Sequence, residues 1–230
     1  MEPTVSAFQL LLAGDPALLA VVRLSLIVSM SAVGVATLIG VPVGASLALT
    51  HFPGRTVVVV VFNALMGLPP VVAGLAVFLL LSRSGPLGSL GLLFTPPAMV
   101  CAQVVLVTPI IAALTRQTIE DLWEEYCDEL TAMNVGMVRR VGTLIWDGRF
   151  SLITIVLAGF GRAAAEVGAI IIVGGNIEGF TRTMTTAIAL ETSKGDLPLA
   201  IGLGVILIAI VVLVNALAWT VGRAAQRYAG

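Results

Sequence analysis

The 230-residue chain is written as long apolar blocks with brief polar punctuation, not as the alternating or one-faced patterns of water-soluble elements. Leu24 to Leu49, Thr56 to Ser82, Ser84 to Thr115 and Leu197 to Gly222 contain no Asp, Glu, Lys or Arg. A helix crosses a bilayer with about 20 predominantly apolar residues. The pattern therefore predicts five spans, over residues 18–50, 56–82, 93–115, 149–175 and 198–222. The first would be roughly 50 Å long at 1.5 Å per residue, so it protrudes or bends, with Gly40-Val41-Pro42 as the weak point. The second carries Gly67-Leu68-Pro69-Pro70 near its middle. Pro69 and Pro70 remove two backbone donors, so this helix is kinked or broken, either for packing alone or because it lines a cavity.

Composition enforces the membrane reading. The chain is 58% hydrophobic and only 11% charged, where soluble domains carry about 25% charged residues. A net charge of −1 gives no basic patch for nucleic acid. Cys101 lies in an apolar block and Cys127 in a polar segment, which suggests neither a disulfide framework nor a metal site. Met1-Glu2-Pro3 lacks the basic start of a signal peptide, so the first apolar segment is expected to remain. Val5, Phe8 and Leu12, at helical spacing, place residues 1–17 on the outer membrane interface. With segment 116–148 inside, Arg55, Arg116, Arg139, Arg140, Arg149, Arg223 and Arg227 face Arg83, Arg182 and Lys194 outside. The basic bias thus puts the N-terminus outside and the C-terminus inside.

Segment 116–148 is the only sizeable polar stretch. It opens on Glu120, Asp121, Glu124, Glu125, Asp128 and Glu129 and closes on Arg139 and Arg140. Leu122, Tyr126, Leu130 and Met133 recur at helical spacing, which fits a helical hairpin better than a solvated loop. Trp123, Val135, Met137 and Val138 are too apolar to leave uncovered, so something docks there.

Catalytic signatures are missing. His51 stands in a short loop without ligand spacing and reads as solvated. There is no phosphate-binding Gly-x-x-x-x-Gly-Lys-Ser/Thr loop, and no cofactor is expected on this chain. Two features carry chemistry instead. Arg162 and Glu166 fall within the fourth span at i and i+4, where they are expected to pair on one helical face, either locking the packing or lining a pathway. Beyond them, Asn176, Thr181, Arg182, Thr183, Thr185 and Thr186 group hydroxyls, an amide and a guanidinium among glycines. Such donors suit a tetrahedral oxyanion, although a plain connecting loop has the same composition.

These stretches resemble the permease subunit of ATP-binding-cassette (ABC) importers of the molybdate/tungstate type. Asn63 to Gly74, followed by Ser82-Arg83-Ser84-Gly85-Pro86-Leu87-Gly88, is similar to the family's proline-kinked core helix and its turn. Gly161 to Ala169, running on to Gly174-Gly175-Asn176-Ile177, resembles a later core helix, and Thr181 to Ile188 the segment before the last helix. The combination of Glu-Val-Gly, Gly-Gly-Asn-Ile and Thr-Arg-x-Met-Thr-Thr-Ala-Ile looks most like the tungstate branch. The resemblance implies one all-α transmembrane permease domain over residues 1–230, with a type I importer core. It implies a homodimer with the pathway on its two-fold axis, two separate ATPase subunits and an extracytoplasmic oxyanion-binding protein. Gly40/Gly44 and Ala164/Gly168 have the spacing that permits close helix packing. In such permeases a Glu-Ala-Ala-x-x-x-Gly segment docks into the ATPase. Here Leu130 to Gly136 occupies that place, keeping Ala132 and Gly136, with Glu129 one residue early. Trp146-Asp147-Gly148-Arg149 replaces the usual Ile-x-Leu-Pro end. The alternatives that stay open are another oxyanion, a secondary transporter, or a non-transporting membrane partner.

Overall fold

The computed structural model describes residues 16–229 and the side chains of residues 16–220; the leading segment with Val5, Phe8 and Leu12 lies outside them. The described chain is helical without a strand: α1 Pro16–Leu49, α2 Arg55–Met66, α3 Pro70–Leu81, α4 Pro96–Ala132, α5 Met137–Asp147, α6 Arg149–Ala164, α7 Gly168–Gly174, α8 Met184–Lys194 and α9 Leu197–Ala229. Helices α1, α4 and α9 are each long and apolar enough to cross a membrane. The bent pairs α2–α3, at 106°, and α5–α6, at 73°, qualify only as pairs, giving three to five spans. The all-α membrane class expected from the pattern is the one observed.

The first span keeps its expected bounds without a break at its weak point, and the ends of two others differ from expectation. Helix α1 runs unbroken through Gly40-Val41-Pro42. Its missing bond is outweighed by packing along α4: a Cβ on Gly44 would stand 2.3 Å from the Ala112 carbonyl oxygen, and one on Gly40 3.0 Å from Ile111. This glycine pair is spent inside the chain. Helix α4 does not stop at residue 115 but continues to Ala132, because Ile119 and Leu130 remain buried beyond that point. The segment expected at 149–175 is two helices, α6 and α7, with Ala165, Glu166 and Val167 between them.

Helix α4 is the axis of the bundle. Val28 of α1, Val77 of α3, Met99 and Ala102 of α4 and Val173 of α7 form one core cluster. A second joins Val33 and Ala36 of α1 to Val107 and Ile111 of α4 and to Ile155 and Phe160 of α6. Leu18, Met184 and Leu203 tie the start of α1 to α8 and α9. Ala45, Ala48, Ile119, Leu130 and Leu144 close the far end, where α5 folds back. Outside this core α9 shows Ile201, Val205, Ile208, Val212 and Leu217, the bulky aliphatic face that hydrocarbon solvates.

Candidate functional site

Two interruptions in the helices frame the site. In the first, Pro69 caps and Pro70 begins α3, so α2 ends at Met66 rather than bending. Helix α2 has no buried residue, and Asn63, Gly67 and Pro69 are exposed. In the second, Arg162 lies in the last turn of α6 while Glu166 falls in the gap, so the two do not share a continuous helical face. They still pair, Arg162 Nη1 to Glu166 Oε2 at 2.7 Å, with side-chain exposures of 31% and 3%. The other carboxylate oxygen accepts from Ala169 N at 3.0 Å and so caps α7.

The gap frees backbone carbonyls in a dry interior, where each needs a donor. Gln103 of α4 donates through Nε2 to the Ala163 carbonyl at 2.9 Å. Thr185 of α8 donates through Oγ1 to the Glu166 carbonyl at 2.8 Å. On the other side α3 presses close: a Cβ on Gly74 would lie 2.7 Å from Ala169 Cα. The break is thus held by side chains from two other helices and by the close backbone of a third. Gln103 went unread in the sequence; its one signal is an amide isolated in an apolar block.

The threonines expected to face an oxyanion are buried. Thr181 donates to the Gly174 carbonyl at 2.6 Å and accepts from Ile177 N, closing the turn after α7. Thr183 and Thr186 form a capping box that starts α8. All four hydroxyls make bonds to their own chain. Asn176 and Arg182 differ. Asn176 has φ 50°, in the left-handed region, and its buried Oδ1 has no hydrogen-bond partner. Arg182 reaches Glu178 through Nη1 at 3.4 Å, while its Nε is buried without a partner. Arg182 also lines a cleft of about 510 Å³ between α1, α8 and α9, together with Arg23, Glu178 and Glu191. Arg23, at the edge of an apolar block, was not among the residues singled out.

At the opposite end the acidic stretch continues α4, and α5 returns across it. Asn134, at φ 52°, makes the turn, and Val135 N bonds the Leu130 carbonyl at 3.1 Å. Arg140 stacks over Trp123 at 5.2 Å and donates to the Val135 carbonyl, so it staples the hairpin rather than facing a partner. Leu130 is core. Glu129, Ala132 and Gly136 are exposed, and a Cβ on Gly136 would meet nothing within 4 Å. Val138 is 86% exposed, and Met133, Met137 and Trp146 stand beside it in the open. Under the hairpin, Glu120 pairs with both Arg55 and Arg116, and Arg55 Nε donates to the Leu47 carbonyl at 2.8 Å. Helices α1, α2 and α4 are thereby tied at one point. His51 is exposed in the neighbouring turn. Among the described residues no group of three metal-binding side chains occurs.

The sequence that builds this bundle has counterparts among known proteins. The chain is 40% identical over 205 residues to a probable anion ABC transporter permease protein of Haloferax volcanii, covering 87% of this chain and 88% of that one. The chain belongs to the ABC transporter permeases for anions. It is also 37% identical over 215 residues to the tungstate uptake system permease protein TupB of Peptoclostridium acidaminophilum, with 94% of both chains covered. A third permease, TupB of Campylobacter jejuni, is 38% identical over 72% of this chain and 69% of its own. No family model matches. The membership places the chain as a multi-pass membrane subunit of a transporter, in which the two broken helices and the hairpin are the parts with chemistry to explain.

Proposed function

We propose that this permease forms, as a homodimer, the pathway of an ATP-driven importer whose substrate is tungstate, with the N-terminus outside and the hairpin inside. The observation that carries the reading is the α4–α5 hairpin. An apolar face of Met133, Met137, Val138 and Trp146, flanked by the exposed carboxylates Glu124, Glu125 and Asp128, is uncovered at the basic end of the bundle. Water does not tolerate such a face and lipid does not tolerate such charges, so a soluble partner fits it. In this reading the partner is a separate ATPase subunit, and this chain hydrolyses nothing. Glu129, Ala132 and Gly136 border the contact, while Leu130 holds the hairpin in shape. The substrate assignment is supported by the two tungstate uptake permeases among the relatives.

The second copy is supported by α2–α3. A break in the backbone is stable within hydrocarbon only when protein or a water-filled cavity covers it. Here Gly67 and Pro69 at the break, Asn63 and one face of α2 are uncovered in one chain. A two-fold partner covers them, and an Asn amide, donor and acceptor at once, is self-complementary across such an axis. Along the pathway the anion meets few cations, Arg182 at the outer mouth and Arg162 deeper. Glu166 and Glu178 partly neutralise them, which keeps the contact weak enough for release. The threonines shape the chain around these groups. An extracytoplasmic binding protein then supplies most of the selectivity.

Open space at Gly136 makes it a clean probe of the hairpin. Gly136→Trp is expected to insert and fold normally while losing co-purification of the ATPase and ATP-driven uptake. Normal association and transport by that variant places the ATPase elsewhere. Labelling of a thiol introduced at Glu178, but not of Cys127, from outside intact cells tests the orientation.

A further inference from the structure

We infer that a single water molecule is a built-in component of the joint between α1, α4, α8 and the α6–α7 break. A small cavity of about 10 Å³ lies there, where Ser25 and Ser29 of α1, Gln103 of α4, and Thr183 and Thr185 at the head of α8 meet apolar neighbours such as Val28 and Ile170. That is about the smallest space that accommodates one water and too small for any larger ligand. Apolar cavities of this kind stay dry, whereas a polar one is filled.

Gln103 supplies the deciding group. Its side chain is 1% exposed, and its Nε2 is committed to the Ala163 carbonyl, which fixes the orientation of the amide. Its Oε1 is left buried with no partner. Such an acceptor is costly in a dry interior. The neighbouring hydroxyls are engaged elsewhere: Ser25 donates to the Val21 carbonyl and accepts from Met184 N at 2.7 Å, and Thr185 donates to the Glu166 carbonyl. A bound molecule therefore has to donate to Gln103 Oε1 and find its second partner at the buried Ser29 hydroxyl or the Thr183 oxygen.

Charge then separates water from an ion. The cavity walls carry no carboxylate, and the nearby Glu166 is already matched by Arg162 and Ala169 N. A monovalent cation held here would be uncompensated, and an anion would face the Gln103 oxygen. A neutral molecule that both donates and accepts fits. The water lets the break, α4 and α8 shift against one another without leaving an unpaired group, because its bonds reorient where side-chain bonds do not.

The test is a high-resolution structure of the permease purified in its full transporter complex, paired with melting curves in sodium, potassium and choline buffers of equal ionic strength. A discrete density peak about 2.8 Å from Gln103 Oε1, with superimposable melting curves, is expected. In Gln103→Met, of similar size and without the amide, the peak is expected to vanish. No peak in the wild-type cavity overturns the assignment. Melting that shifts with the identity of the cation overturns it as well, by making the site an ion site. If Gln103→Met fails to fold, the wild-type density and the cation series still decide.

Discussion

The two helix breaks are made in opposite ways. At Gly67-Leu68-Pro69-Pro70 the cause is local: two imino acids withhold the donors that would continue α2 into α3, and the flanking surface is left open. Between α6 and α7 there is no proline at all. Ala165, Glu166 and Val167 leave the helix because Gln103, Thr185 and the Arg162–Glu166 pair satisfy the groups thus released. A break written in prolines survives on its own chemistry. One written in tertiary hydrogen bonds exists only while its partners are in place, which suits a joint that has to rearrange.

That contrast is open to direct attack, and the largest effect is expected at the ion pair. Arg162→Gln strands a carboxylate that is 3% exposed, and breaking a buried pair in this way costs about 3–5 kcal/mol. The one-third exposure of Arg162 puts the loss at the lower end. Glu166→Gln is expected to cost less, since Arg162 reaches water and the amide still caps α7. The double variant is expected to regain most of the thermal stability in detergent. Singles that melt like the wild type would show that the pair does not hold the joint.

Next comes the packing behind the break. With a Cβ already 2.7 Å from Ala169 Cα, Gly74→Leu is expected to cost about 1–3 kcal/mol by overpacking α3 against α7. Thr185→Val keeps the shape but leaves the Glu166 carbonyl without its donor, for a similar loss of about 1–3 kcal/mol. An unchanged melting temperature for Thr185→Val would mean that the break needs no outside donor. The smallest change in stability belongs to the proline break. Pro69→Ala combined with Pro70→Ala restores both donors, and the pair is expected to straighten from 106° towards one helix with little change in melting. Spin labels at Val57 and Leu79 read this as a lengthened distance. An unaltered distance would move the cause of that bend from the prolines to the packing.

Much of this was legible in the sequence. Charge-free blocks gave the membrane class, and the proline pair marked the first break within a residue or two. The hairpin was signalled by apolar residues at helical spacing inside an acidic run. The second break was not visible, since nothing between Ala163 and Gly168 forbids a helix; the side chains that hold it, Gln103 and Thr185, lie 60 and 19 residues from the carbonyls they meet. For the same reason the threonines were ambiguous in the sequence. Hydroxyls that bond to their own backbone and hydroxyls offered to an anion have one composition, and only burial separates them. The continuity of α1 through Pro42 was likewise decided by α4, pressed against Gly40 and Gly44.

The central claim is that this chain carries an oxyanion for an ATPase that it does not itself contain. The most direct measurement is uptake of the proposed substrate, tungstate, into proteoliposomes containing the permease with its ATPase subunit, with the binding protein outside and ATP inside. Accumulation is expected only when all three proteins and ATP are present, and it is expected to disappear in Gly136→Trp. Uptake that proceeds without ATP on an imposed ion gradient would contradict the account, as would a competent, ATP-hydrolysing complex that accumulates no oxyanion.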